Sequence, residues 1–440
     1  MRILVRCLAA LCFVLVLAFP ALAQNEGGLP SKEHVLAGEA YKQAERVVLL
    51  KDEVHGEVVH YQFDVPVGDG PFDVIRMHRV VKEVSPGRPA KRMEGILLLP
   101  GLPQLFEAIF LQAPLSGHPI VQSSMALFLA SNDTDVWGMD YGHSFIPYPT
   151  TGFSALRGWG IDKEVGHVQT ALSIARWLRV RSEQGNGPLH LLGYSYGGVV
   201  VYGAAAEDTQ RPGNLRNIKG IIPVDGTPIR VVPGSPDQLN SCNTAKSTLA
   251  SLDAGVYHVD SSASRARGLA ALNYPDVLSP LSGGASGTFP AFPAYTFTNF
   301  QASPVNSVRN KTLAGTYTVS PPSVTLFFAE AMRIIRLQSV TPAYYPNQIV
   351  YEGAASRCDS SDYPVAFDDH VGEIEVPIFY IARQEANFYS TTVTSSGDVS
   401  KLVVNPTLDP SLYGHADFFL ANNAASVIWQ PIRDWIRARR

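Results

Sequence analysis

The sequence predicts an α/β fold: a mostly parallel sheet flanked by helices, interrupted by one large insertion. Three observations carry this expectation. Between residues 95 and 225, short apolar runs alternate with helical patterns, as in parallel βα units joined by right-handed crossovers. The alternation stops over residues 227–375 and resumes at Val376–Ala382. A Gly-x-Ser-x-Gly run, Gly193-Tyr194-Ser195-Tyr196-Gly197, stands between an apolar strand and an Ala/Val-rich helix, the setting in which that motif presents a nucleophile.

Composition sets the bounds. The chain has 440 residues, 46% hydrophobic and 17% charged, enough apolar material for a large core. Its formal net charge is −4, which offers no basic footprint for nucleic acid. The chain holds no solenoid or propeller repeat.

The elements follow in order. Residues 1–23 predict a cleaved signal peptide: Arg2 and Arg6, an apolar run from Leu8 to Phe19, then Ala21-Leu22-Ala23. The polar, Gly-containing stretch that follows has no stop-transfer pattern, and no later run is long and apolar enough to span a bilayer. The expected location is therefore secreted or periplasmic. Cleavage removes Cys7 and Cys12 and leaves Cys242 and Cys358. Two cysteines in an exported chain predict one disulfide, alternatively two buried thiols. A Cys242–Cys358 bridge would close the insertion's ends for roughly 3–5 kcal/mol.

Residues 57–67 and 72–83 read as strands joined by Gly68-Asp69-Gly70-Pro71, a hairpin. Gly95–Pro100 reads as a buried strand, Ser123–Ser131 as a helix and Thr134–Asp140 as a strand. Ile161–Arg181 carries Val165, Val168, Leu172, Ala175 and Leu178 at helical spacing. Leu189–Gly193 is a strand, Tyr196–Asp208 a helix and Ile218–Asp225 a strand. Residues 24–226 and 376–440 then form the core. Residues 227–375 form a cap, too long for a loop, with a helix expected at Ser323–Leu337. The aromatic, Gly/Pro-rich stretch 278–300 would pack under this cap or touch a lipid interface. Val376–Ala382 is the returning strand, and Asn422–Ile436 the last helix.

The chemistry centres on Ser195. A nucleophile on a sharp, strained turn projects its oxygen from the sheet's carboxyl edge. Gly193 and Gly197 leave room for that turn, and the helix N-terminus supplies N–H groups for a developing oxyanion.

With this motif, residues 95–225 and 376–436 resemble the α/β-hydrolase superfamily. Two patches resemble acid lipases of the gastric and lysosomal type: Met125–Ala130 with Asp135-Val136-Trp137, and Tyr413-Gly414-His415-Ala416-Asp417-Phe418. The chain departs from those lipases in three places. Pro100-Gly101 stands where they have His-Gly, Tyr141-Gly142-His143 replaces an Arg-Gly pair, and the cap has no counterpart. The resemblance implies the order nucleophile, acid, histidine. His415, the only histidine after Val376–Ala382, is then the base. His370 precedes that strand, and His143 is structural or lines the pocket. Glu385, three residues past the strand, stands where the resembling lipases place an aspartate and is the expected acid. Asp225, ending the preceding strand, and Asp398 are the alternatives. Leu102 and Tyr196 would supply the oxyanion-hole N–H groups, since Pro103 has none to give.

The expected activity is ester hydrolysis through an acyl-enzyme on a small-molecule or lipid ester. The same triad would also serve an amidase, peptidase or acyltransferase, and a non-catalytic apolar-ligand binder is the remaining alternative. No cofactor, metal site or obligate protein partner is expected. There is no Gly-x-Gly-x-x-Gly after a strand and no His-Glu-x-x-His, and Asp368-Asp369-His370 reads as a polar turn.

Overall fold

The structure is a computed structural model. It describes residues 30–52, 56–90, 93–112, 121–273, 313–319, 322–383, 388–404 and 413–439. The signal-peptide segment 1–23, the aromatic stretch 278–300 and Glu385 lie outside the described residues.

Nine strands line up in one sheet: β1 (Glu45–Asp52), β2 (Gly56–Pro66), β3 (Val74–Ser85), β4 (Glu94–Leu99), β5 (Thr134–Asp140), β6 (Leu189–Tyr194), β7 (Ile218–Val224), β8 (Ile378–Ala382) and β9 (Val399–Val403). Their spatial order is β1-β2-β3-β5-β4-β6-β7-β8-β9, with a two-residue strand, Arg88–Pro89, off β3. From β5 to β9 every pairing is parallel. The expected hairpin forms the antiparallel edge, and β1 extends it.

Alternation along the central strands divides the core between two faces. Ile96, Leu98, Leu192, Ile222, Val224 and Ile381 point to one face, where α2 (Met125–Ser131) and the C-terminal residues Phe418, Trp429 and Ile432 cover them. Leu97, Leu99, Leu191, Ile221 and Ile378 point to the other, under α3 (Ile161–Arg181) and α4 (Tyr196–Thr209). The five apolar positions predicted for α3 are all buried. Among the described residues, no helix is long and apolar enough to cross a membrane. An N-terminal helix, α1 (Lys32–Gln43), which the sequence reading did not anticipate, packs on β2 and α3 and starts at a capping box built by Ser31 and His34.

Between β7 and β8 lie α5 (Pro236–Asp253), a helix at Ser262–Asn273, an antiparallel pair Gly315–Val319 and Pro322–Leu326, a helix at Ala331–Ser339, and α6 (Asn347–Cys358). The helix expected at Ser323–Leu337 is therefore corrected. Its first residues pair as a strand, and helix begins only at Ala331. Val324 and Thr325, with the partner run Thr316-Tyr317-Thr318, are β-branched or aromatic residues that favour a pleated ribbon. α5 and α6 pack side by side through Ala245, Tyr351 and Ala354. The Cys242–Cys358 disulfide joins them across a sequence separation of 116. The expected last helix starts as a π-helical turn, Ala425–Trp429, and continues as Gln430–Arg437.

Candidate functional site

Ser195 sits between the end of β6 and the first turn of α4, with φ 55° and ψ −117°. A non-glycine residue in this region costs on the order of 1–3 kcal/mol and persists only where its surroundings hold it. Here they do. The Ser195 amide donates to Val224 O at 3.0 Å, and Ser195 O accepts from Gly198 and Thr227.

Packing explains the glycines. A Cβ on Gly193 would lie 2.0 Å from Gly197 O, and one on Gly197 would lie 2.6 Å from Leu99 O. A Cβ on Gly198 would meet Gly226 Cα at 2.8 Å. The turn can thus form only where helix, β4 and the loop after β7 approach backbone to backbone.

The loop after β4 lies over the same point. Gly101 to Gln104 is a turn closed by Gln104 N donating to Gly101 O at 3.0 Å, and a Cβ on Gly101 would come within 2.9 Å of Ser195 Cβ. Tyr141 donates its hydroxyl to Pro100 O at 3.4 Å, tying down the start of this loop. Leu102 belongs to the turn. Tyr196 opens α4, so its amide has no carbonyl one turn back in the helix.

His415 arrives from the C-terminal segment. Its ring packs on Tyr194, the residue before Ser195, at 4.7 Å between centroids, and Tyr194 donates its hydroxyl to His415 O at 3.0 Å. His415 Nδ1 lies 2.5 Å from Asp225 Oδ2. Asp225 directly follows Val224, the acceptor of the Ser195 amide, so the serine turn, the histidine and this carboxylate share one rim of the sheet.

Asp225 is nearly fully buried and holds φ at 39°. Arg383, just past β8, donates from Nε to Oδ2 at 2.6 Å and from its backbone N to Oδ1 at 3.2 Å. Burial alone would raise the Asp225 pKa. The Arg383 guanidinium and the bond to His415 reverse this and hold it at about 2. The carboxylate is therefore ionised throughout the neutral range.

The sequence reading missed Arg383 and the role of Asp417. Asp417, two residues past His415, accepts from Gly414 N and Ala314 N, both at 2.7 Å. It thereby fixes the histidine loop against the inserted segment, while burial pushes its own pKa up to about 7. The shared spacing of His415 and Asp417 was the available signal.

Of the expected site residues, Ser195 and Tyr196 share one turn, Leu102 lies in the neighbouring turn that starts at Gly101, and His415 packs on Tyr194, the residue before Ser195. Asp225, an alternative in the sequence reading, is the carboxylate on His415, and Glu385 lies outside the described residues. Asp398 pairs with Arg439 instead, at 2.7 Å. His143 is buried: its Nδ1 meets Glu164 Oε1 at 2.9 Å, and its ring stacks on Tyr141. Exposed His370 pairs with Glu373 at 2.8 Å.

No family model matches the sequence, and the search of curated proteins finds no match. Solved structures do match. A candidate lipase from Sulfolobus solfataricus shares 18% identity at a TM-score of 0.58, with 91% of this chain and 100% of that chain covered. A monoglyceride lipase variant from Saccharomyces cerevisiae shares 13% identity at a TM-score of 0.40, covering 83% and 92%. The narrower likeness to gastric-type acid lipases rests on the two sequence patches alone. With the sheet order, the parallel strand pairings and the strained serine turn described above, the chain has the α/β-hydrolase fold.

Proposed function

We propose that this chain is an exported serine hydrolase that cleaves carboxylic esters through an acyl-enzyme on Ser195. One observation carries the reading: the His415–Asp225 contact beside the strained Ser195 turn. Asp225 holds the proton of His415 on Nδ1, which leaves Nε2 to take the Ser195 proton as Oγ attacks the ester carbonyl. The amides of Tyr196 and Leu102 receive the oxyanion. The alcohol leaves with a proton from His415, and water then releases the acid by the same route. In this reading the acid is Asp225, with Glu385 outside the triad.

Residues 227–375 act as a cap. Leu313 packs against Gly414 beside His415, and Ala329 bridges to Ala421. These backbone contacts hold the inserted segment against the histidine loop, and the substrate in this reading is an ester with a bulky, mostly apolar part. The Cys242–Cys358 bridge is in keeping with an oxidising compartment.

A panel of esters graded by acyl length tests the activity on wild type and Ser195→Ala. The expected result is hydrolysis by wild type and a loss of roughly 10⁵- to 10⁶-fold in the variant, with circular dichroism unchanged. Comparable turnover by Ser195→Ala would remove the reading. Gly101→Ala probes the oxyanion loop separately. The added methyl must displace the turn from Ser195, and kcat/KM should fall by roughly 100-fold without loss of the fold.

A further inference from the structure

We infer that His60, His78 and Glu107 form a binding site for a divalent first-row transition metal, zinc foremost. The site is separate from the Ser195 rim and does not rest on the esterase reading. His60 and His78 come from the adjacent strands β2 and β3, and Glu107 from the π-helical turn Glu107–Leu111. One ligand atom from each lies within 4.8 Å of the other two. Two imidazoles and a carboxylate form a donor set that suits zinc, with a water in the fourth position.

The second observation is the hydrogen-bond chain that orients the rings. Asp140 accepts from Phe106 N at 2.6 Å on Oδ1 and lies 3.1 Å from His78 Nε2 through Oδ2. A carboxylate in that place keeps the His78 proton on Nε2 and turns the Nδ1 lone pair inward, the arrangement that orients histidine ligands in metal proteins. His78 Nδ1 lies 3.0 Å from His60 Nε2, close to the about 3.3 Å between two ligands of a tetrahedral zinc. A metal that displaces the proton shared by these two nitrogens would take both as ligands, and Glu107, whose Oε1 lies 3.7 Å from His60 Nδ1, stands beside the pair to supply the carboxylate.

Access and rigidity fit as well. His78 and His60 are 0% and 4% exposed, and stacking of His78 on Phe106 at 4.4 Å holds the pair in place. The Glu107 side chain is 36% exposed, which leaves an entry and lets it close on the ion. Arg76, which feels the charge of both Glu107 and Asp140, is held in a two-pronged bond by Asp64. A metal here would pin the segment after the Gly101–Gln104 turn to the antiparallel hairpin.

The test is equilibrium dialysis of the chelator-treated, purified chain against Zn²⁺, followed by metal analysis and X-ray absorption. The expected result is about one zinc per chain with nitrogen and oxygen ligands at about 2.0 Å. Glu107→Gln and His60→Gln should each weaken binding by about 10-fold or more, with circular dichroism unchanged. Removing the exposed competitor by His370→Gln should leave the stoichiometry as it is. Folded wild type that takes up no zinc at micromolar concentration, or uptake undiminished in both ligand variants, would overturn the site.

Discussion

Asp225→Asn is expected to lower kcat for ester hydrolysis by roughly 10³- to 10⁴-fold, while Glu385→Gln changes it by less than a few-fold. The change from carboxylate to amide keeps shape and volume but removes the charge beside His415. It also offers an N–H where Nδ1 now donates, so the imidazole is driven to the wrong tautomer. The loss should appear in kcat rather than KM, because an imidazolium forms only during the reaction. Arg383 adds a second consequence: its guanidinium, 12% exposed, loses the Asp225 charge. Steady-state kinetics on both variants decides the matter. A large loss in Glu385→Gln with little change in Asp225→Asn would return the acid to the loop after β8.

Asp135→Ala should destabilise the fold by about 3–5 kcal/mol, read as a shift in the urea midpoint. Asp135 opens the Asp-Val-Trp strand and is fully buried. It accepts from Arg79 Nε at 2.9 Å and Nη2 at 3.0 Å, and from Arg179 Nη1 at 2.8 Å. Burial alone would raise its pKa, but the two arginines lower it below the ordinary value. Alanine removes the charge that both guanidiniums share, and Arg79, 0% exposed, is left with the neutral hydroxyls of Tyr41 and Ser182. Asp133→Asn is the control. Asp133 pairs at the surface with Lys82, and that pair should contribute about 0–1 kcal/mol. A midpoint for Asp135→Ala equal to that of the control would contradict this role.

Much of this was legible in sequence where one segment carries both the element and its reason. The serine turn announces itself through glycines that leave room for backbone contact, and His415 through chain order. The acid was not legible in the same way. Asp225 and Glu385 both follow parallel strands, β7 and β8, which are neighbours in the sheet. Chain order cannot say which strand end the histidine loop reaches. That depends on Asp417 anchoring the loop and on Arg383 holding Asp225. The run at 323–337 misled because apolar residues of a ribbon strand and of a helix adjoin with no break between them. His60, His78 and Glu107 carry no motif spacing, since they meet only through strand pairing and the turn after β4. β1, β9 and α1 were missed because each lies at an edge of the fold and is partly exposed, which weakens the apolar signal.

The most direct test of the central claim is mass mapping of the folded chain after treatment with a phosphonate ester, on wild type and His415→Ala. An adduct on Ser195, formed rapidly in wild type and orders of magnitude more slowly in His415→Ala, is the predicted result. A folded wild-type chain left unmodified at Ser195, or modified equally fast without His415, would contradict the account.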